Sequence, residues 1–207
     1  MKYIISNYNN DISWIKDYTD DYVIYNQGEP IEDKNTIQVP HAGTDIADKF
    51  KFIIDNYDNL PEVAVYCKAN FLGKSISKEE YEKVKDNREF TPLLTQNHKT
   101  YGDEDGPICC YKQGMYFERN NYWYANWQNA KYLKEIIKIF KMTERNYNCF
   151  APGSNYILPK ENILKHPKSL YETLRSYLIW HEYPIEAQML ERNLFYLWNI
   201  NIKLYDL

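Results

Sequence analysis

The residues best placed to do chemistry in this chain follow three short apolar runs. Ser6-Asn7-Tyr8-Asn9-Asn10-Asp11 comes after YII, Asn26-Gln27-Gly28-Glu29 after DYVIY, and Lys68-Ala69-Asn70 after VAVYC. Ser, Asn and Asp side chains offer both donors and acceptors. A Tyr ring can stack on a planar partner, and a Lys carries a compact positive charge. Together they suit a ligand with polar edges and negative charge. The same residues also make turns: Asn9-Asn10-Asp11 is a turn sequence, and Asp11 can cap a following helix. Lys68 at a strand end can equally be a structural or solvated residue.

The elements that must position these groups follow a regular order. YIIS (3–6), DYVIYN (21–26) and VAVYC (63–67) read as buried strands, with IQVP (37–40) as a shorter one. Between them, DISWIKDY (11–18) reads as a short helix capped by Asp11. GTDIADKFKFIIDNYDNLP (43–61) reads as a longer helix capped by Thr44 or Asp45, with Ile46, Phe50, Ile53, Ile54 and Tyr57 on one face. Strand, helix, strand, helix, strand predicts a parallel α/β sheet. In open sheets of that kind ligands bind beyond the carboxyl ends of the strands, where the three polar stretches lie. Further on, Ser77 and Glu80 form a capping-box pattern for a surface helix. Residues 90–130 read as short strands and long loops, and 128–141 as a helix whose lysines make a solvated face. Tyr156–Leu158 reads as a strand with a helix start after Pro159, and 167–179 and 184–198 as two final helices.

The totals narrow the class. With 207 residues, 44% hydrophobic and 26% charged, the chain predicts a soluble globular protein of one domain. A net charge of −4 argues against a long nucleic-acid track, which demands a basic stripe. Cys67, Cys109, Cys110 and Cys149 form no CxxC pair, so zinc ligation and a disulfide framework are not expected. MKYIISNYNND has too short an apolar run for a signal peptide, and no stretch approaches a membrane span. A cytoplasmic location is the expectation.

IISNYNNDISWI…VIYNQG resembles the opening of small nucleotide-sugar glycosyltransferases of the GT-A fold. More narrowly it resembles a poorly characterised group, related to viral and capsular-polysaccharide transferases, that begins with a strand, an S-x-Y-N-x-D-x-x-W-like turn and an I-Y-N-K-G-like strand end. Gly43-Thr44-Asp45 and Asn56-Tyr57-Asp58-Asn59-Leu60-Pro61 stand where that group has a helix start and a strand lead-in. APGSNYILPKENIL and IEAQMLERNLFYLW are similar to its closing segments. About two thirds of the chain is touched, with residues 70–150 mostly unmatched.

The resemblance implies a GT-A-like, Rossmann-type α/β domain over 1–207, with 1–70 the nucleotide-binding half and 71–207 the acceptor side. It implies transfer of a sugar from a UDP- or GDP-linked donor to a hydroxyl on a glycan or glycoconjugate. Ser6, Asn7, Tyr8, Asp11, Asn26, Gly43, Asp45, Lys68 and Asn70 would then bind the donor, and His41 could reach a phosphate. Such enzymes commonly hold Mn²⁺ or Mg²⁺ on an Asp-x-Asp motif, but Lys68-Ala69-Asn70 stands in its place. Either the Lys68 ammonium replaces the metal, or Asp103-Glu104-Asp105 supplies a displaced site; the same acidic loop also reads as a solvated turn. A base for the acceptor hydroxyl is sought among Glu191, Asp105, Glu186, His181 and His98, while Glu191 reads equally as an anchor to backbone or to an Arg that holds the last helix. Trp123, Tyr124 and Trp127, in an aromatic stretch that begins at Tyr116, would form the acceptor platform. Two other readings stay open: a binding module that has lost the chemistry, and a phage-type DNA-base transferase, against which the pI of about 5.6 weighs.

Overall fold

The computed structural model describes residues 1–95, 100–104, 106–112, 115–119 and 146–199. The expected helix at 128–141 lies outside them. Four strands form the parallel part of the main sheet: β1 (Lys2–Asn7), β2 (Tyr22–Asn26), β3 (Thr36–Gln38) and β4 (Val63–Lys68). A fifth, β5 (Thr91–Pro92), lies at the far edge beyond β10 (Tyr156–Pro159). The order is β3-β2-β1-β4-β10-β5, with β10 antiparallel to both its neighbours. The protein is thus α/β with a mixed, mostly parallel six-stranded sheet.

Helices cover both faces of that sheet, which is why the inner strands are apolar without alternation. On one face Ile4, Tyr25, Ala64, Tyr66 and Leu158 meet α1 (Thr44–Asp55), α4 (Lys168–Ser176) and α5 (Ile185–Trp198). On the other, Tyr3, Ile5, Ile24, Val65, Cys67 and Ile157 meet Ile15, Phe71 and Tyr81. Tyr81 belongs to α2 (Lys78–Val84), which starts on the Ser77–Glu80 capping box that the sequence predicts. Pro159, Pro167 and Pro184 each stand just before a helix: α3 (Lys160–Leu164), α4 and α5. Proline fixes φ for the helix start and has no N–H to leave unpaired.

A second, antiparallel sheet contains β6 (Tyr101–Asp103), β7 (Gly106–Lys112), β8 (Met115–Arg119) and β9 (Tyr147–Phe150), in sequence order. Arg192 of α5 ties this sheet to the body. Its guanidinium pairs with Glu118 through Nε–Oε1 at 2.6 Å and Nη2–Oε2 at 3.2 Å, and lies over the Phe150 ring.

Three local expectations are corrected. The 11–18 segment is a single 3₁₀ stretch, Ser13–Asp17, and Asp11 does not cap it. Its carboxylate instead closes an Asx turn, accepting the Ser13 N–H at 2.9 Å and the Ser13 hydroxyl at 2.8 Å. Neither Thr44 nor Asp45 caps α1, because Gly43 occupies the N-cap at φ +74° without a side-chain bond. The long helix also stops at Asp55 and is followed by a 3₁₀ turn, Tyr57–Asn59.

Gly43 is a close approach as well as a turn. A Cβ there would lie 2.6 Å from Ala47 Cβ and 2.9 Å from Leu178 Cβ. Gly73 also has positive φ, +79°, but open space around it. Both Ala variants carry the left-handed penalty, about 1–2 kcal/mol. Gly43→Ala is expected to exceed Gly73→Ala by about 1–3 kcal/mol from overpacking, read by urea denaturation.

Candidate functional site

Parallel register brings the polar strand ends to one rim. Asn7 pairs in register with Asn26, and Ser6 with Lys68. An amide relay then ties the tips together. Asn7 Nδ2 donates to Asn26 Oδ1 at 3.0 Å, Asn26 Nδ2 to Gln38 Oε1 at 2.9 Å, and Asn70 Nδ2 to Asn10 Oδ1 at 3.2 Å. Asn10 N–H donates to Asn7 Oδ1 at 3.1 Å, which joins the two halves of the relay. Asn9 Oδ1 accepts the Glu29 N–H at 2.8 Å across Gly28, where a Cβ would sit 2.1 Å from that oxygen.

Above this rim opens a cleft of about 460 Å³. Ser6, Asn7, Tyr8 and Asn10 line it from β1 and its loop, and Lys68, Asn70 and Lys74 from the end of β4 and after. Thr44, Asp45 and Asp48 come from α1, with Gln27, His41, Tyr183 and Gln188 completing the wall. Among the described residues three non-glycine positions have positive φ: Asn9, Thr44 and Ser154. The first is in the knot, the second lines the cleft and the third supports its floor. Strained backbone of this kind concentrates where side chains are held for a task.

The floor is electrostatic. Asp45 is buried with one oxygen, Oδ2, bonded to both the Lys49 ammonium and the Ser154 hydroxyl, while Lys68 Nζ lies 3.1 Å from its Oδ1. Lys49 is 0% exposed and also donates to Ser154 Oγ at 3.1 Å. Burial pushes the Asp45 carboxyl up, but Lys49 and Lys68, with the two hydrogen bonds, outweigh it and hold the pKa down to about 2. Asp45 in turn raises the pKa of Lys68. Lys68 is therefore a fully charged ammonium presented to the cleft.

Asp48, one helical turn on, has the opposite environment. Burial, with Asp45 nearby, raises its pKa to about 7, against hydrogen bonds from Gln27 and Ser6 and the Lys49 charge. Gln27 Nε2 donates to its Oδ2 at 2.8 Å. Two carboxylates on one helix face thus differ by several units, the arrangement that separates acid–base roles.

Of the sequence-predicted site residues, Ser6, Asn7, Tyr8, Asp45, Lys68 and Asn70 line the cleft. Asn26 is buried in the amide relay, Asp11 is exposed in its own turn, and Gly43 sets the entry to α1. Glu191 is not in the cleft wall: its Oε1 accepts the Gly153 N–H at 2.7 Å, holding the turn that carries Ser154. Asp105, His98, Trp123, Tyr124 and Trp127 lie outside the described residues. Gln27, from the second polar stretch, lines the cleft as well, whereas Asp48, Lys74, Tyr183 and Gln188 were not singled out from sequence. Asp48 had a signal, its i+3 spacing from Asp45 on an amphipathic helix; the others had none.

The donor set fits a divalent cation poorly. Both oxygens of Asp45 are engaged, and an ion there would meet two ammoniums. Asp103 is paired with Arg119, Oδ1 to Nη2 at 2.6 Å. Among the described residues no three His, Cys, Asp or Glu side chains converge.

The chain is thus an α/β protein with a mostly parallel sheet and a polar cleft over its strand carboxyl ends, walled by helix and loop residues. Residues 3–204 match a family model described as a protein of unknown function, DUF3431, and the chain belongs to that family. No curated protein and no solved structure matches it. Among the described residues no helix is long and apolar enough to cross a membrane.

The Asp48 environment has a thermodynamic consequence. Its folded pKa lies above the unfolded carboxylate range, so between about pH 4 and 7 the native state binds the extra proton and stability falls as pH rises. Asp48→Asn, which keeps an acceptor for Gln27, is expected to gain in melting temperature over the parent protein as pH goes from 4.5 to 8. Asp45 works the other way, stabilising above the unfolded carboxylate pKa and losing that stabilisation as pH falls towards 2.

Proposed function

We propose that this protein is a glycosyltransferase that takes its sugar from a UDP- or GDP-linked donor and delivers it to a glycan or glycoconjugate hydroxyl. One observation carries the reading: a charged lysine, Lys68, held by Asp45 at the end of β4, stands in a cleft whose wall also carries Lys74, Asp48, amides, hydroxyls and the Tyr8, His41 and Tyr183 rings. In this reading Tyr8, stacked on His41 at 4.2 Å between centroids, offers its open face to the base. Asn10, Asn70 and Gln188 meet polar edges of the nucleoside and sugar, and Lys68 and Lys74 meet the diphosphate. The resemblance of the opening and closing segments to GT-A transferases supports the assignment, as does the place of the cleft over the carboxyl ends of the parallel strands.

The chemistry is then a displacement at the anomeric carbon. The acceptor oxygen bonds to that carbon as the bond to the diphosphate oxygen breaks. Asp48, poised near neutral pH, takes the hydroxyl proton, as a general base should. The charge left on the diphosphate falls on Lys68, which Asp45, Lys49 and Ser154 hold in place beforehand, so little reorganisation is needed. No step requires a metal in this scheme.

The direct test is thermal shift with UDP and GDP in EDTA and in Mn²⁺, followed by hydrolysis of a panel of nucleotide sugars. A shift with one nucleotide in EDTA is expected. Lys68→Ala should weaken that binding by about tenfold or more, the worth of a charge-assisted contact. Asp48→Asn should lower donor hydrolysis by about 100-fold or more with donor affinity little changed. No shift with either nucleotide overturns the reading, and binding without turnover of any donor selects a binding module instead.

A further inference from the structure

Eight large apolar side chains stand exposed among the described residues, and four of them, Tyr177, Ile179, Trp180 and Tyr183, fall in the connection between α4 and α5. Trp180 is 64% exposed and Tyr183 63%. A fifth, Tyr8, is at the cleft. Solvated Trp and Tyr in one short stretch are unusual, since each leaves a large ring in water.

The loop is not loose chain. Leu178, within it, is fully buried. The His181 carbonyl accepts the Gly43 N–H at 2.9 Å, and His181 Nδ1 accepts the Tyr183 N–H at 3.0 Å. Glu182 Oε2 lies 3.8 Å from His41 Nδ1. These anchors hold the backbone while the rings point outward. Three rings form a run that leaves the cleft, Tyr8 stacked on His41 and His41 edge-on to Tyr183 at 5.4 Å, and on the same loop Trp180 makes a separate pair with His181 at 5.4 Å. Tyr8, His41 and Tyr183 all line the cleft, so the rim continues it.

Charge decides what such a rim can hold. Residues 176–191 contain Glu182, Glu186 and Glu191 and no Lys or Arg. Of the flanking cations Arg175 donates to the Ala47 carbonyl and Arg192 is buried on Glu118, and Lys68 and Lys74 lie in the cleft wall and not on this loop. Stacking sites for nucleic acid pair their rings with cations for the phosphates, and loops that enter anionic bilayers carry Lys or Arg beside their aromatics. The core of a stable protein interface is depleted of charged residues, whereas Glu182 stands in this stretch beside the exposed Tyr183. What remains is a neutral ligand with an apolar face and polar edges. A pyranose ring has both: its C–H face packs on Trp or Tyr, and its hydroxyls reach carboxylate, imidazole and amide groups such as Glu182, His181 and Gln188.

We propose that the 177–183 loop, from the point where Tyr183 meets His41 at the cleft edge, is a binding rim for neutral pyranose residues. If the transferase reading holds, this rim is the acceptor glycan's subsite, and the inference rests on that reading only for the word acceptor. Sugar units would lie along the ring run with the reacting hydroxyl at the cleft end.

Saturation-transfer NMR with maltotriose, cellotriose and chitotriose tests this on the intact chain, its Trp180→Ala variant and its Trp180→Phe variant. Trp180 is exposed, so neither substitution removes core packing. At least one trisaccharide is expected to bind, with affinity lowered by about fivefold in Trp180→Ala and largely restored by Phe. The proposal is overturned if none of the three binds, or if Trp180→Ala binds as well as the parent. It is equally overturned if Trp180 instead governs sedimentation with phosphatidylcholine–phosphatidylglycerol vesicles, or a monomer–dimer equilibrium. The two readings separate in the same samples: trisaccharide binding without any UDP or GDP shift sustains the rim and overturns the transferase.

Discussion

A buried carboxylate with two ammoniums on it is the constraint from which the site is built. Asp45 sits in the first turn of α1, buried, and an isolated charge there would be untenable. Its partners come from far apart in the chain: Lys49 from the same helix, Lys68 from the end of β4, and Ser154 from the turn after β9. Satisfying one charge therefore fixes three elements against each other. Glu191 extends the arrangement by holding Gly153, so α5 is coupled to the same turn. Removing one partner of such a buried pair leaves its mate uncompensated, which is why the set acts as a unit.

Asp45 and Asp48 show how one helix face can carry two different acids. They are three residues apart and both face the cleft. Asp45 has cations on both oxygens and stays ionised. Asp48 has an amide and a hydroxyl and keeps its proton to about pH 7. The difference arises from which neighbours the fold brings in, since the two side chains are chemically identical.

The asparagine-rich knot has a double use. Asn7 and Asn10, with Asn26 and Asn70, bind the strand tips to each other, so much of their hydrogen-bonding capacity is internal. This clamp keeps the rim rigid, while Tyr8, Lys68 and Lys74 remain turned towards the cleft. A polar stretch at strand ends is thus a scaffold first, with only part of it left to meet a ligand.

The strands β1, β2 and β4, the capping box at Ser77 and the helices beginning after Pro159, Pro167 and Pro184 were legible because each is written in local periodicity and punctuation. The rim residues Ser6, Asn7, Tyr8, Lys68 and Asn70 were legible too, since parallel strands must end side by side. The misreading of Thr44 and Asp45 as caps shows the limit. Asp at a helix start has a familiar local use, and nothing nearby in the chain reveals that Ser154, more than a hundred residues on, claims it instead. For the same reason Tyr183 and Gln188 were invisible, and only the fold decided that Glu191, readable as a base or as a backbone anchor, holds a backbone turn. Local sequence determined which segments are strands and helices and where they stop, because backbone preferences act over a few residues. Only the tertiary structure decided which polar groups face one another, because burial and charge pairing depend on contacts between segments that the chain order does not record.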